Sequence, residues 1–286
     1  MKYLSTCPVG CESTLVTTNI SMPEGNLLGC SLCDQLISQC TENRYHESMT
    51  EFDVAHGTTP SINNKKRAYR LHSKRLAQIT SAIGAPAQEI KLLDVGCSSG
   101  AFLNSARSLG FKTFGVEPAK QAANTAKQSG LNVVAGTLEQ AKYANNSFDA
   151  ITLFEVIEHL KEPKLLMQEI YRVLKPGGIL LISTGNSKSL TVRCLRNKWD
   201  YFSIGAHGGH ISFFNPKSMA MLAKTVNLRI RSNVTINNRF AYRANTSKIT
   251  YRLLKIVSEA LNPIVKRLNM GHDMIVVMEK NTQTST

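Results

Sequence analysis

A chain of 286 residues, 42% apolar and without a run of about 18 apolar residues, can bury one large core plus a small appendage. No segment of it reads as a membrane span. Its seven cysteines are odd in number and come in close pairs, which argues for metal binding over disulfides and for a reducing, cytoplasmic setting. The net charge of +14 is uneven: residues 1–60 sum to −5, residues 61–90 to +5, residues 91–185 to +2 and residues 186–286 to +12. That asymmetry predicts an anionic partner for the last third, either a phosphorylated substrate, a membrane surface or nucleic acid, with a solvated basic face as the plainer reading.

The opening Leu4-Ser5-Thr6-Cys7 is similar to a lipoprotein cleavage site, but no apolar segment precedes it, so that reading is set aside. Cys7 and Cys11 form one close pair; Cys30 and Cys33, eighteen residues on, form another. Two such pairs around a short polar, hairpin-like stretch fit a zinc ribbon, in which four thiolates close a tetrahedral structural site. Gly10 and Gly29 stand beside the second and third cysteines, where knuckle turns need small residues. Cys40 and His46 are substitute ligands at poorer spacing. Residues 41–60 read as a polar connector. A basic helix follows from Ser61 to Ile83, with Ala68, Leu71, Arg75 and Ile79 at helical spacing, and Gly84 and Pro86 end it.

Next comes Leu92-Leu93-Asp94-Val95-Gly96-Cys97-Ser98-Ser99-Gly100-Ala101-Phe102-Leu103, an apolar run that ends in an acid and turns through small residues into a new apolar pattern. This predicts a buried strand, a tight turn and a helix start whose backbone amides can approach a ligand. Glu117 follows Asp94 by 23 residues, at the end of a second strand, where an acid can grip a ribose diol. A dinucleotide turn would place a glycine where Ser98 stands, to clear a pyrophosphate, and Asp94 would set a carboxylate near that pyrophosphate. A carboxylate there suits a ligand with an amine and no phosphate. S-adenosylmethionine (SAM) is such a ligand.

Strands at 111–116, 131–135, 148–154 and 179–183 alternate with helices at 120–129 and 163–174, the pattern of a parallel sheet covered on both faces. Ligands in such sheets bind beyond the carboxyl ends of the strands, which groups residues 94–100, Glu117, 136–139 and 154–159 around one crevice. In the tail, residues 228–236 and 273–279 read as edge strands. Between them Ile249, Leu253, Val257, Leu261, Ile264 and Leu268 lie at helical spacing among Lys248, Arg252, Lys255, Lys266 and Arg267, with Pro263 expected to split or kink the helix. Such a helix packs on the domain or a second subunit, or lies on a membrane surface.

Over roughly residues 60–286 these motifs resemble class I SAM-dependent methyltransferases: DVGCSSG the first motif, GVEP the acidic second, SFDAITLFEVIEHL the fourth-strand region and LKPGGILLIST the turn into strand five. The ribbon and HGGHISFFNPKSM resemble a subgroup that modifies sugars and other small metabolites in surface-polysaccharide pathways. The resemblance implies a Rossmann-like α/β fold with a doubly wound, mostly parallel seven-stranded sheet. It implies a zinc-ribbon-like segment over 1–45, a connector and helix over 46–88, and a methyltransferase domain over 89–286 with a substrate insertion at 185–216 and a basic helical insertion at 246–269. Asp94 would orient the SAM amino group. Gly96, Cys97, Ser98 and Gly100 would approach its carboxypropyl arm. Glu117 would take the ribose hydroxyls, Pro118 would border the adenine, and Thr137, Leu138 and Glu139 would hold that ring. Phe154 and Glu155 would line the methyl end.

An oxygen or carbon acceptor also requires a base, for which His159 and His210 are the candidates. Trp199, Tyr201, Phe202, His207 and Phe213 offer aromatic cover for an acceptor, and Arg193, Arg196 and Lys198 a grip for a phosphate. The leading expectation is a methyltransferase of a small molecule: a sugar, nucleotide-linked sugar or glycolipid precursor. An RNA methyltransferase is the alternative, weakened by the lack of an Asn/Asp-Pro-Pro-aromatic loop at Leu153-Phe154-Glu155-Val156 and by the −5 charge of the ribbon segment. A non-catalytic SAM- or zinc-binding scaffold is a third reading.

Overall fold

A computed structural model describes residues 2–55, 62–243 and 246–282. The first segment folds as strands β1 (Leu15–Met22), β2 (Gly25–Cys30) and β3 (Leu36–Ile37), followed by helix α1 (Glu42–Ala55) and helix α2 (Ile62–Ile83). The expected polar connector is therefore largely helical over 42–55. Its mixed polar sequence carries no strong apolar period, which is why the helix does not announce itself.

The main body runs through β4 (Lys91–Val95), α3 (Ala101–Ser108), β5 (Lys112–Glu117), α4 (Lys120–Gln128), β6 (Val133–Ala135), β7 (Phe148–Phe154), α5 (Pro163–Val173) and β8 (Leu174–Gly185). An insertion then contributes α6 (Leu190–Leu195), α7 (Ile204–His207) and β9 (Ser212–Phe213). The chain finishes with α8 (Pro216–Thr225), β10 (Leu228–Ile236), α9 (Lys248–Arg267) and β11 (Asp273–Lys280). Seven strands form one sheet in the order β10-β11-β8-β7-β4-β5-β6. From β8 to β6 every pairing is parallel, and β11 runs antiparallel to both of its neighbours. The doubly wound, mostly parallel sheet expected from the sequence is the fold.

Two boundaries differ from expectation. The strand at 273–280 lies inside the sheet, between β10 and β8, so of the two strands expected at an edge β10 alone is one; burial on both faces explains its near-continuous apolar run. Strand β8 pairs through Leu174 with Phe148 and then through Ile179 with Ala150, so Lys175–Gly178 bulge out of a longer strand than the 179–183 segment. Leu92, Leu93, Leu153, Leu181 and Ile182 have no exposed surface, which fixes the register: a slip by one residue would exchange the two buried faces. Truncating one of these leucines to alanine costs about 2–5 kcal/mol.

The ribbon is joined to the insertion. Strand order β1-β2-β3-β9 makes a second, four-stranded sheet, in which Leu36 faces Phe213 and Ile37 faces Ser212. The side chains of Trp199, Tyr201, Phe202 and Phe213 pack with Leu27 and Val192 in a buried cluster beneath that joint. The aromatic residues expected to cover an acceptor are thus mostly core, and the side chain of His207 lies outside those described. A capping box on Asn215, with Pro216 at the first helical turn, then starts α8.

Candidate active site

The turn after β4 is shaped by its backbone. The amides of Gly96 and Cys97 both donate to the Val116 carbonyl, at 2.9 and 3.1 Å, which folds the loop over the end of β5. Gly96 and Gly100 have φ of +75° and +79°. At Gly96 a Cβ would come within 2.5 Å of Val156 Cγ2, so no other residue fits there without displacing that loop. Ser98, at the place of a central glycine, adopts φ +48°, a conformation that costs an L-residue about 1 kcal/mol. Its N–H donates to Glu117 Oε2 at 2.8 Å, and Ala119 N–H donates to Glu117 Oε1 at 2.8 Å. The carboxylate at the end of β5 is therefore held rigidly beside the turn.

Asp94 is buried at 4% exposure, and its Oδ1 accepts from Thr152 Oγ1 at 2.6 Å. Burial raises its pKa to about 7, with the Thr152 hydroxyl and Arg75 pulling the other way. A cation beside this carboxylate would offset that burial. Burial likewise raises the Cys97 thiol, whose side chain packs in a small cluster under α3 and α4.

Arg75 of α2 reaches the same crevice. Its guanidinium lies 4.1 Å from the Phe154 ring centroid and donates through Nη2 to Ser183 Oγ at 3.0 Å, while its buried Nε has no hydrogen-bond partner among the described residues. Burial lowers its pKa, and Glu155, Asp273 and Asp94 oppose that shift. The helical spacing of α2 pointed to Arg75 as a packing position; only the crossing of α2 over the carboxyl ends of β7 and β8 shows it as part of the site.

Beyond β7, Glu155 (φ +53°) is exposed as a residue, yet its carboxylate tip is bonded to Ser183 Oγ at 2.9 Å and Tyr201 OH at 3.1 Å. Tyr201 OH also donates to Glu158, which has no exposed surface and accepts from Thr184 Oγ1 at 3.0 Å. Desolvation in the crevice, then the charge of Glu158, push Glu155 well above the usual carboxylate range; burial raises Glu158. His210 Nε2 lies 3.8 Å from Glu158 Oε1, and His210 Nδ1 is 3.0 Å from the Tyr201 carbonyl. A carbonyl only accepts, so Nδ1 carries a proton and Nε2 is the ring atom turned towards Glu158. The His159 and His210 rings are 4.6 Å apart, with His210 buried at 3% and His159 half-buried. The structure thus brings the two candidate bases together with Glu158 of the expected crevice group and with Tyr201, and adds Ser183 and Thr184 from the end of β8.

The remaining predicted contacts fall as follows. Pro118, Thr137 and Glu139 are exposed along the carboxyl ends of β5 and β6, and Thr137 N–H donates to Gln140 Oε1 at 2.9 Å. Leu138 is buried at 1% in the main core, so its side chain is engaged in packing. Phe154 is half-buried between Arg75 and Phe102, whose ring stands edge-on at 5.0 Å. Arg193, Arg196 and Lys198 are all exposed.

In the ribbon, the sulfurs of Cys7, Cys11, Cys30 and Cys33 all lie within 4.8 Å of one another, and Cys7 and Cys33 are 3.6 Å apart. That is too long for a disulfide and close to the edge of about 3.8 Å in a thiolate tetrahedron with bonds of about 2.3 Å. Cys40 and His46 are not among the four. Ser13 Oγ at 2.9 Å and Cys33 N–H at 3.4 Å address Cys30 Sγ. The hydrogen bond with Cys33 pulls the Cys7 thiol down to about 5, while burial raises Cys11 to about 11. Gly10, at φ +87°, forms the knuckle turn, whereas Gly29 lies within β2 between Val16 and Leu36.

Known proteins are similar to part of this chain. A family model described as a methyltransferase domain matches residues 65–233. The ubiquinone biosynthesis O-methyltransferase of Cereibacter sphaeroides is 30% identical over 152 residues, covering 47% of this chain and 62% of that protein. The chain spans a little over half the length of such curated relatives. Among solved structures, a SAM-dependent methyltransferase from Thermotoga maritima superposes with a TM-score of 0.51 at 20% identity, covering 82% of this chain and all of that one, a likeness of fold. With the family match extending over more than half of its residues, the chain belongs to the class I SAM-dependent methyltransferases.

Proposed function

We propose that the protein methylates an oxygen or carbon of a small-molecule acceptor, a sugar, nucleotide-linked sugar or glycolipid precursor, with SAM as donor. When bound, SAM supplies a methyl group already activated on a sulfonium. The residues fit it: Asp94 offers a buried carboxylate to an ammonium, and the Gly96–Gly100 turn leaves backbone room. Glu117, fixed beside the turn by two backbone amides, presents its carboxylate to a ribose diol, and Arg75 has a buried N–H for a carboxylate. Pro118, Thr137 and Glu139 border the place expected for the adenine.

The observation that carries the acceptor chemistry is the His159–His210–Glu158 cluster beside Glu155. His159, the more accessible ring, takes the acceptor proton. His210, fixed in one tautomer by the Tyr201 carbonyl and facing Glu158, passes or stabilises the charge that forms. Tyr201 ties Glu155 and Glu158 into one proton-sharing network. The O-methyltransferase activity named for the curated relatives supports a small-molecule acceptor, and the exposed Arg193, Arg196 and Lys198 suit an anionic one. The four-cysteine cluster we assign to a structural zinc ion, since four thiolates leave no open position.

Incubation with methyl-labelled SAM and cell extract, followed by fractionation, tests this reading. Label in saccharide or glycolipid fractions is expected; label confined to RNA or protein overturns it.

A further inference from the structure

Helix α9 has a face that the fold leaves uncovered. Of its residues only Ser258 and Val265 are buried, and its anchoring is polar: Asn238 Nδ2 donates to the Ser258 carbonyl and to Asn262 Oδ1, both at 2.8 Å. On the opposite side Ile249, Leu253, Ile256, Val257 and Ile264, with Leu268 just beyond the helix end, are 48–74% exposed. At 3.6 residues per turn these six share one arc of roughly 120°. Packing on the domain, one expectation for this segment, therefore does not account for it. The helix runs unbroken through Pro263, so the arc is continuous along its length.

Lys248, Arg252, Lys255 and Lys266 flank one edge of the arc and Arg267 lies within it, giving the helix a charge of +4 in a C-terminal third that carries +12. That charge decides between occupants. A second copy meeting this face through a two-fold axis would press one +4 helix against another. A nucleic acid would answer the charge and leave six aliphatic side chains in water. An anionic lipid surface answers both at once: the aliphatic side chains enter the acyl boundary while the lysines and arginines meet the headgroups. No helix among the described residues is long and apolar enough to cross a membrane, so α9 would lie on the surface.

Sheet register says where the rest of the enzyme then sits. The connections of α9 leave Ile236 and return at Asp273, which pair with each other, and Asp273 pairs with Gly185 at the carboxyl end of β8. The helix thus springs from the sheet edge that carries Glu155 and the cofactor turn. Asn186 N–H donates to the His272 carbonyl at 2.9 Å and Leu190 N–H to the Met270 carbonyl at 2.8 Å, binding the same connection to the insertion.

We propose that α9 is an interfacial helix that seats the protein on an anionic lipid surface with the carboxyl edge of its sheet beside that surface. This stands whatever the acceptor. Sedimentation of the full chain with phosphatidylcholine vesicles and with equimolar phosphatidylcholine–phosphatidylglycerol vesicles tests it, alongside SAM titration by calorimetry. Binding is expected to the mixed vesicles, weakened by salt. Leu253→Asp/Ile256→Asp should lower the partition coefficient at least about tenfold with SAM affinity unchanged. Arg252→Glu/Lys266→Glu should abolish the preference for phosphatidylglycerol. The full chain remaining in the supernatant, or the aspartate variant sedimenting like the unmodified protein, overturns the proposal. So does a dimer by analytical ultracentrifugation that Leu253→Asp/Ile256→Asp dissociates while vesicles bind neither form. Loss of SAM binding with vesicle binding intact would fault the cofactor assignment alone.

Discussion

Asp94 shows what a buried carboxyl, here proposed as a ligand contact, costs a fold. Its carboxyl titrates near pH 7 in the folded chain and near 3.8 when unfolded, so between those values the folded state holds the extra proton and stability falls as pH rises. Above pH 7 the penalty is complete, on the order of 4 kcal/mol for a shift of that size. Asp94→Asn should therefore melt higher than the unmodified protein at pH 8, and the gap should close near pH 4; equal melting curves at pH 8 would refute the buried charge. The same variant should bind SAM at least tenfold more weakly, because an amide offers an ammonium no charge. In the unmodified protein SAM affinity should rise with pH through 7, as Asp94 ionises, with proton release visible in calorimetry across buffers of different ionisation enthalpy. Two neighbours separate structure from binding. Glu117→Ala removes the acceptor for the Ser98 and Ala119 amides, so it should cost about 1–3 kcal/mol of stability as well as SAM affinity. Ser98→Gly relieves a positive φ and should gain up to about 1 kcal/mol with affinity preserved, as denaturant melts would show.

Among the elements, those whose signal is local were legible and those made by distant pairing were not. Strand β7 occupies Phe148–Phe154 as its apolar run foretold, and the turn from Gly96 to Gly100 lies where the small residues put it. The ribbon hairpin followed from cysteine spacing, and its four sulfurs converge. Strand β9 is two residues long, and neither Ser212 nor Phe213 has a pattern to read; its existence depends on β3, some 175 residues earlier. The aromatic residues of the insertion misled for a related reason. Trp199 and Tyr201 look like a ligand cover when read along the chain, but the ribbon supplies Leu27 to bury them. Arg75 was not legible as a crevice residue because only the packing of α2 over the carboxyl ends of β7 and β8 brings its guanidinium to Phe154 and Ser183. The cysteine cluster yields a test at this scale. Elemental analysis should find about one zinc per chain, lost in Cys30→Ser/Cys33→Ser, with a fall in melting temperature; fully stable metal-free protein would refute the assignment.

Across the whole molecule, the ribbon and the His159–His210–Glu158 cluster are connected by backbone. Ser38 N–H, at the end of β3, donates to the Ile211 carbonyl at 2.9 Å, and Ile211 N–H donates to the Glu158 carbonyl at 3.1 Å. Gln35 Nε2 reaches Ser212 Oγ at 2.8 Å, and Asn215 Nδ2 donates to the Asp34 carbonyl at 3.0 Å, beside Cys33. His210 precedes Ile211, so the segment that presents its ring is fixed on one side by the ribbon and on the other by the Glu158 turn. The cofactor turn, by contrast, is built from β4 and β5 and shares no hydrogen bond with the ribbon among the described residues. Stripping the metal should consequently lower kcat while leaving SAM affinity within about twofold, because misplacing a base by an ångström suffices to slow proton transfer. A chelator titration followed by parallel calorimetry and methyl-transfer assays reads both quantities on one sample. Zinc restores the rate if the ribbon acts by positioning. Equal loss of SAM binding and turnover would mean that the ribbon supports the whole fold, and an unchanged rate would mean that His210 is held without it.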